Sequence, residues 1–155
     1  MKLKTAIIIA TFSFLLSCTH SNGVYERMAF FPKHEWDSQQ KQSFDFEVTD
    51  TAALYRIYFV IRHTDAYSWN NIWVNIDFKA PDTSYTLKRE FVLADNRKWH
   101  GTITDDIVDQ RIPFNQNNIP TPLKKGKYTF TLQHIMREDP LQHVMNAGIR
   151  VEKVE

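Results

Sequence analysis

Apolar residues recur at every second position through most of this chain, and that period is the strongest constraint on its fold. In "QSFDFEVTD", Phe44, Phe46 and Val48 point one way, while Ser43, Asp45, Glu47 and Thr49 point the other. Successive side chains of a strand leave on opposite faces, so this stretch reads as a strand with one wet face. "NIWVNIDF" (71–78) repeats the pattern with Ile72, Val74, Ile76 and Phe78 inward. "YTLKREFVL" (85–93) puts Tyr85, Leu87, Phe91 and Leu93 on one face, and the turn chemistry of "APDTS" between the two runs joins them into a hairpin. "KYTFTLQHIM" (127–136) and "AGIRVEKVE" (147–155) alternate likewise. "LYRIYFVIRH" (54–63) is apolar on both faces and reads as a central strand.

Weaker strands are expected at 24–31, 98–104 and 110–115, and "NRKWHG" (96–101) reads as a tight connection that carries Trp99 into the core. "TDDIVDQ" (104–110) and "DPLQHVMN" (139–146) are each expected to form a short helical turn. Pro113, Pro120 and Pro122 flank a long loop, 113–126, that is kept out of the central sheet. Strands spaced by turns, with some long connections and an aromatic content of 14%, predict an all-β chain. The expected fold is a single antiparallel β-sandwich, jelly-roll-like, over residues 24–155.

The N-terminus predicts a different fate for its first residues. Lys2 and Lys4 precede an apolar run, 5–16, of about a dozen residues. That is the length of a signal peptide, and it is short of the roughly 20 residues a membrane span needs. Leu15-Leu16-Ser17-Cys18 resembles a bacterial lipobox, in which the cysteine receives a diacylglyceryl group, the signal is cut before it, and the new amino terminus is acylated with a palmitate-type chain. Residues 1–17 are therefore read as a lipoprotein signal peptide, 18–23 as a lipidated tether and Cys18 as the anchor. Each buried CH₂ contributes about 0.8 kcal/mol, so two or three chains hold where one is marginal. Thr19 follows the cysteine, where an aspartate would resemble an inner-membrane retention signal, and no acidic run resembling a surface-export signal comes after it. The expected location is the outer membrane, facing the periplasm.

Cleavage leaves 138 of the 155 residues and removes two lysines, so 17 basic face 18 acidic side chains. A chain this balanced, with no basic cluster, argues against nucleic acid. Cys18 is the sole cysteine, so no disulfide can staple the mature domain. No His pair has zinc-ligand spacing, and Asp105, Asp106 and Asp109 lack the alternation of a calcium loop; neither a metal nor a cofactor is expected. His63 and Asp65 share a side of an extended segment, an arrangement that can orient a base, yet no nucleophile motif accompanies them. The expectation is a non-enzymatic protein with no catalytic residue. "AYSWNNIWVNIDF" is more informative, because it sets Trp73, Asn75 and Asp77 on the face opposite Ile72, Val74 and Ile76. Rings beside amides and a carboxylate form a binding surface, for a protein partner or for a glycan.

These runs form a recognisable set. "YRIYFVIRHTDAYSWNNIWVNIDF", "WHGTITDDIVD" and "KGKYTFTLQHIMREDPLQHVMNAGIRVEK", behind the lipobox, resemble the gliding-motility lipoprotein GldH family of Bacteroidetes over nearly the whole mature chain. The matching positions are Arg62, Tyr67, Asn70, Asn71 and Trp73, then Trp99, Gly101, Asp105 and Asp106, then Tyr128, Phe130, Met136, Arg137, Leu141 and Gly148. Ser68-Trp69 and Val144-Met145-Asn146 depart from the family pattern. The resemblance implies a role in gliding motility and the linked type IX secretion machinery, with other machinery proteins as partners and no catalytic activity; a carbohydrate- or peptidoglycan-binding module is the alternative. Trp73, Asn75, Asp77, Trp69, Tyr67 and Arg62 are the candidate partner-binding residues.

Replacing Cys18 by alanine is expected to abolish labelling by radioactive palmitate and to leave an uncut precursor of higher mass. Autoradiography of the membrane fraction checks the first and mass spectrometry of the protein the second.

Overall fold

The computed structural model describes residues 23–154, which are all-β, with no helix among them. In chain order the strands are β1 (Val24–Phe30), β2 (Glu35–Trp36), β3 (Gln42–Val48), β4 (Leu54–Thr64), β5 (Asn71–Lys79), β6 (Ser84–Val92) and β7 (Ala94–Asp95). They continue as β8 (Lys98–Trp99), β9 (Thr102–Thr104), β10 (Ile107–Pro113), β11 (Thr121–Pro122), β12 (Gly126–His134), β13 (Leu141–Gln142) and β14 (Val144–Val154). Cys18 and the expected signal and tether lie outside the described residues, apart from Gly23.

One sheet runs β1-β14-β4-β10-β9, with β11 also paired to β4; the facing sheet runs β3-β12-β5-β6. All pairings are antiparallel. Consider only the long strands β1, β3, β4, β5, β6, β10, β12 and β14. Consecutive members then mostly alternate between sheets, and the last is inserted between the first and third. That is the two-Greek-key order of a jelly roll. The central position expected for 54–63 holds, since β4 is flanked by β14 and β10. The hairpin expected around "APDTS" also forms, with Lys79 opposite Ser84.

The alternation becomes the core. Phe44, Phe46 and Val48 of β3, Ile72, Val74 and Ile76 of β5, Tyr128, Phe130 and Leu132 of β12, and Ala147, Ile149 and Val151 of β14 are all buried. Phe59 of β4 stacks on Phe91 of β6 at 4.4 Å between ring centres, which ties one sheet to the other. Tyr128, Phe46 and Phe130 continue the stack across β3 and β12. Trp36 at the end of β2 is fully buried, stacked on Phe31 and edge-on to His134.

Two local expectations are corrected. Residues 104–110 form no helical turn. Thr104 pairs with Ile107 across a two-residue hairpin in which Asp105 takes a φ of 55°, a left-handed value that aspartate tolerates. Residues 139–146 are also extended: Leu141 pairs with Trp36, and β14 starts at Val144 after His143 turns through a φ of 67°. In both cases pairing to a partner outside the segment outweighs local helical preference. The loop 113–126 stays out of the sheet interior, with Thr121 and Pro122 making a short bridge to Tyr55 and Leu54.

Gly148 is fixed by close approach. A Cβ there would stand 2.0 Å from the Arg27 carbonyl oxygen and 2.7 Å from the Met28 Cα on the paired β1. Gly148→Ala is expected to cost at least about 1–3 kcal/mol, the usual penalty of overpacking, because backbone atoms must move. Thermal unfolding followed by circular dichroism checks this, against Ala66→Ser in the exposed turn after β4 as a control.

Candidate functional site

The period of two sorts β5 into an inner and an outer face. Ile72, Val74 and Ile76 are buried, while Trp73 is 40% exposed and Asn75 and Asp77 lie half-buried on the outside. The outer face extends onto the neighbouring strands as a polar lattice. Asp77 accepts a hydrogen bond from the Thr86 hydroxyl at 2.6 Å on β6. On β12, Thr131 bonds Ser43 at 3.0 Å, and Thr129 donates to Asp45 at 2.6 Å. Such cross-strand pairs stabilise a solvated face.

The lattice ends in an apolar corner. The Ile135 amide donates to the Trp73 carbonyl at 2.9 Å, which continues the β12–β5 ladder by one residue and sets the Ile135 side chain beside the indole. The Trp73 amide points at the Met136 Sδ at 3.2 Å. Trp69, in the connection from β4 to β5, is held by an indole N–H bond to Glu138 at 2.8 Å. Trp69, Trp73 and Ile135 are each more than a third exposed, and with Asn71, Met136 and Arg137 they line a shallow depression of about 290 Å³. Exposed aromatic and apolar side chains fixed by hydrogen bonds give contact area without a large loss of side-chain entropy on binding.

The six residues expected to bind a partner are not all brought together. Trp69, Trp73, Asn75 and Asp77 share this sheet and its edge. Tyr67 does not contribute: it is buried at 4% exposure, its hydroxyl donates to the Asn71 carbonyl at 3.0 Å, and its ring packs on His63 and Trp99. Arg62 lies on the outside of the opposite sheet, where β4 alternation turns it away from the core and its Nε bonds Asp109 at 2.6 Å. Ile135 is a surface residue that the sequence reading did not single out, while Met136 beside it is half-buried against the core. The signal was the period of β12, which sends Gln133 and Ile135 outward.

The His63–Asp65 arrangement has a structural explanation. His63 is fully buried. Its Nδ1–H donates to the Thr64 carbonyl at 2.7 Å, and its Nε2 accepts from the Gln110 amide nitrogen at 3.0 Å; that nitrogen also donates to the Leu93 carbonyl. Both ring nitrogens are occupied, and Trp99 closes edge-on over the ring at 4.6 Å, as expected of a tryptophan carried inward. Burial lowers the His63 pKa, against the opposing pull of the Thr64 carbonyl, Asp109 and Asp65. Burial also lowers that of His134, which is fully enclosed and 3.7 Å from Asp139. No group of three His, Cys, Asp or Glu among the described residues is arranged to hold a metal.

Three comparisons bear on identity. The family described as GldH lipoprotein matches residues 23–151. The gliding motility lipoprotein GldH homolog of Christiangramia forsetii is 23% identical over 164 residues, covering 99% of this chain and 98% of that one. Dimeric latent PorU from Porphyromonas gingivalis aligns with a TM-score of 0.37 and 9% identity, over 84% of this chain and 13% of that much longer one. The VP2 subviral particle of infectious bursal disease virus aligns with a TM-score of 0.32 and 13% identity, over 84% of this chain and 30% of that one.

The two buried imidazoles set a pH dependence. Each is held neutral in the folded state, below the ordinary value of 6.5, whereas the unfolded chain takes up protons as pH falls through about 6.5. The unfolded state then binds more protons, so the stability they contribute is present above pH 6.5 and is lost on acidification from there toward the depressed folded values. Tm is expected to fall between pH 7.5 and 5.5, and to fall less in His63→Gln. Differential scanning calorimetry across that range checks it. Asp45, Asp50, Asp82 and Asp139, whose hydrogen bonds hold them below 3.8, act only in a more acidic window.

Proposed function

Since the chain belongs to the GldH lipoprotein family, whose relative in Christiangramia forsetii is named for gliding motility, we propose that it is a lipid-anchored, non-enzymatic scaffold of the gliding and type IX secretion-linked machinery. It sits at the periplasmic face of the outer membrane on acyl chains at Cys18. It acts by holding a protein partner against the Trp69–Trp73–Ile135 corner.

The observation that carries this reading is the separation of anchor and corner. The chain enters the domain at Gly23, whose carbonyl accepts from the Lys153 amide at the end of β14. The other end of β14 starts at Val144, whose amide donates to the His34 carbonyl beside Trp36 and His134. His134 is opposite Val74, so the Trp73 corner belongs to that far end. Ten residue steps of strand separate the ends, roughly 33 Å at about 3.3 Å per step. A domain tethered at Gly23 by five residues therefore presents its aromatic corner away from the bilayer. Anchoring in a plane also raises the effective concentration of the corner toward any partner in the same membrane. A sheet of cross-bonded threonines and carboxylates beside it supplies a polar rim, the usual surround of an apolar interface centre.

The combined Trp69→Ala and Trp73→Ala protein is expected to keep its Tm within a few degrees, because neither ring belongs to the buried core, and to lose colony spreading on agar. A photo-crosslinking residue at position 73 is expected to capture an envelope protein that the same residue at position 152, near the anchored end, does not. Normal spreading by the double variant overturns the docking reading, and adducts with peptidoglycan alone transfer the corner to glycan binding.

A further inference from the structure

The inner face of β6 carries Tyr85, Leu87, Arg89 and Phe91 in turn, and Arg89 breaks the apolar series. Its side chain enters the gap between the sheets, where the β6 edge faces β4 and the loop after β10. The guanidinium carbon lies 5.1 Å from the centre of the Phe91 ring and 6.0 Å from that of Phe114. One nitrogen, Nη2, donates to the Pro113 carbonyl at 3.2 Å. No carboxylate among the described residues forms an ion pair with it. Burial alone acts on its ionisation, holding the pKa below the ordinary arginine value. A partly desolvated cation that uses one of five donors is costly without an anion, and this one has four donors to offer.

Beside it is a groove of about 310 Å³, walled by Tyr55, Ile57, Phe78, Leu87, Phe114 and Leu123. The volume stands at the lower end of the small-ligand range. At roughly 30 Å³ per heavy atom, the space of a water molecule, it admits about ten heavy atoms. The walls are mostly apolar and aromatic, the Asn115 amide and Thr121 hydroxyl on the rim are engaged with the Ile119 carbonyl, and the one formal charge, Arg89, is positive. A sugar would leave most of its hydroxyls unpaired against the rings that form most of the wall, and a cation would be repelled by Arg89.

We propose that this groove binds a small amphiphile with a carboxylate head and one short acyl tail, the head paired with Arg89 and the tail laid along Ile57, Leu87 and Phe78. The planar guanidinium suits a two-point bond to a carboxylate. The site opens in the Gly23 half of the domain, since Thr121 of its rim is opposite Tyr55 and the neighbouring Leu54 is opposite Val154. It is separate from the Trp73 corner, so either can fail without the other.

The test uses octanoate, which has ten heavy atoms, labelled with ¹³C at the carboxyl carbon. It is titrated by NMR into the mature lipoprotein in zwitterionic nanodiscs, with empty nanodiscs as reference. The expected result is a saturable shift, with the bound carboxyl pKa displaced downward by the guanidinium. Arg89→Gln is expected to weaken binding about tenfold or more, and octanol is expected to bind more weakly than octanoate. Leu87→Trp, which fills the groove and leaves Arg89 intact, is expected to abolish the shift. The proposal is overturned by no saturation above empty nanodiscs, by equal affinities for octanol and octanoate, or by an unchanged affinity in Arg89→Gln. A lower Tm with unchanged affinity would make Arg89 a plug of the sandwich edge. If Arg89→Gln does not fold, octanoate retained by Leu87→Trp overturns the proposal by itself.

Discussion

The contact between two aromatic-rich sheets is what every other feature depends on. With no cysteine after Cys18, no covalent staple helps, and the domain is held by burial and hydrogen bonding. Full burial of a Phe, Leu or Ile side chain contributes about 1.5–3 kcal/mol, and a stacked ring pair adds about 0.5–1.5 kcal/mol. Phe59 on Phe91 therefore ties sheet to sheet as disulfides do in many small domains, while Phe46 with Tyr128 and Phe130 binds β3 to β12 within one sheet. The same burial makes His63 and His134 neutral and draws Tyr67 inward, and burial of Tyr67 raises its phenol pKa well above the usual value. Where the layer thins at the β6 edge, it leaves the groove that Arg89 enters.

Much of this was legible in the chain because a strand's two faces are written as alternate letters. β3, β5, β12 and β14 bury the residues their alternation put inward, and Trp73 is outside because Ile72 and Val74 are inside. What alternation cannot encode is which strands share a sheet. Arg62 and Trp73 are eleven residues apart, but the connection between β4 and β5 crosses the sandwich, so outward from one sheet is opposite to outward from the other. Tyr67 lies in that crossing, where no periodicity exists; its place is decided by Asn71, His63 and Trp99. The segment 139–146 has spacing that suits a helix, and only its pairing with Trp36, about a hundred residues earlier in sequence, makes it extended. Arg89 stands between Leu87 and Phe91 on the same inward series, a charge that reading the apolar alternation alone passes over.

Function divides along the same line. The family match supports a lipoprotein of gliding motility, whereas the proposed docking corner rests on geometry. The two regions differ in chemistry as well as position. The corner is a shallow, hydrogen-bonded aromatic surface at the far end; the groove is a narrow apolar slot with one cation. A protein interface suits the first and a small amphiphile the second, because a broad surface gains by area and a slot by enclosure.

The pairing of β1 with β14 has a mechanical consequence. β1 begins at the entry point of the chain and lies antiparallel to β14, matched residue for residue from Val24 opposite Glu152 to Phe30 opposite Asn146. Ladder hydrogen bonds run perpendicular to strands. A pull along the strand axis, between Gly23 and a load at the opposite end of the sandwich, thus strains the whole ladder at once in shear, rather than opening it bond by bond as a zipper. Gly148, which lets the two backbones meet in mid-ladder, adds close contact where that shear is carried. A force that enters at Gly23 therefore meets the β1–β14 ladder as one unit.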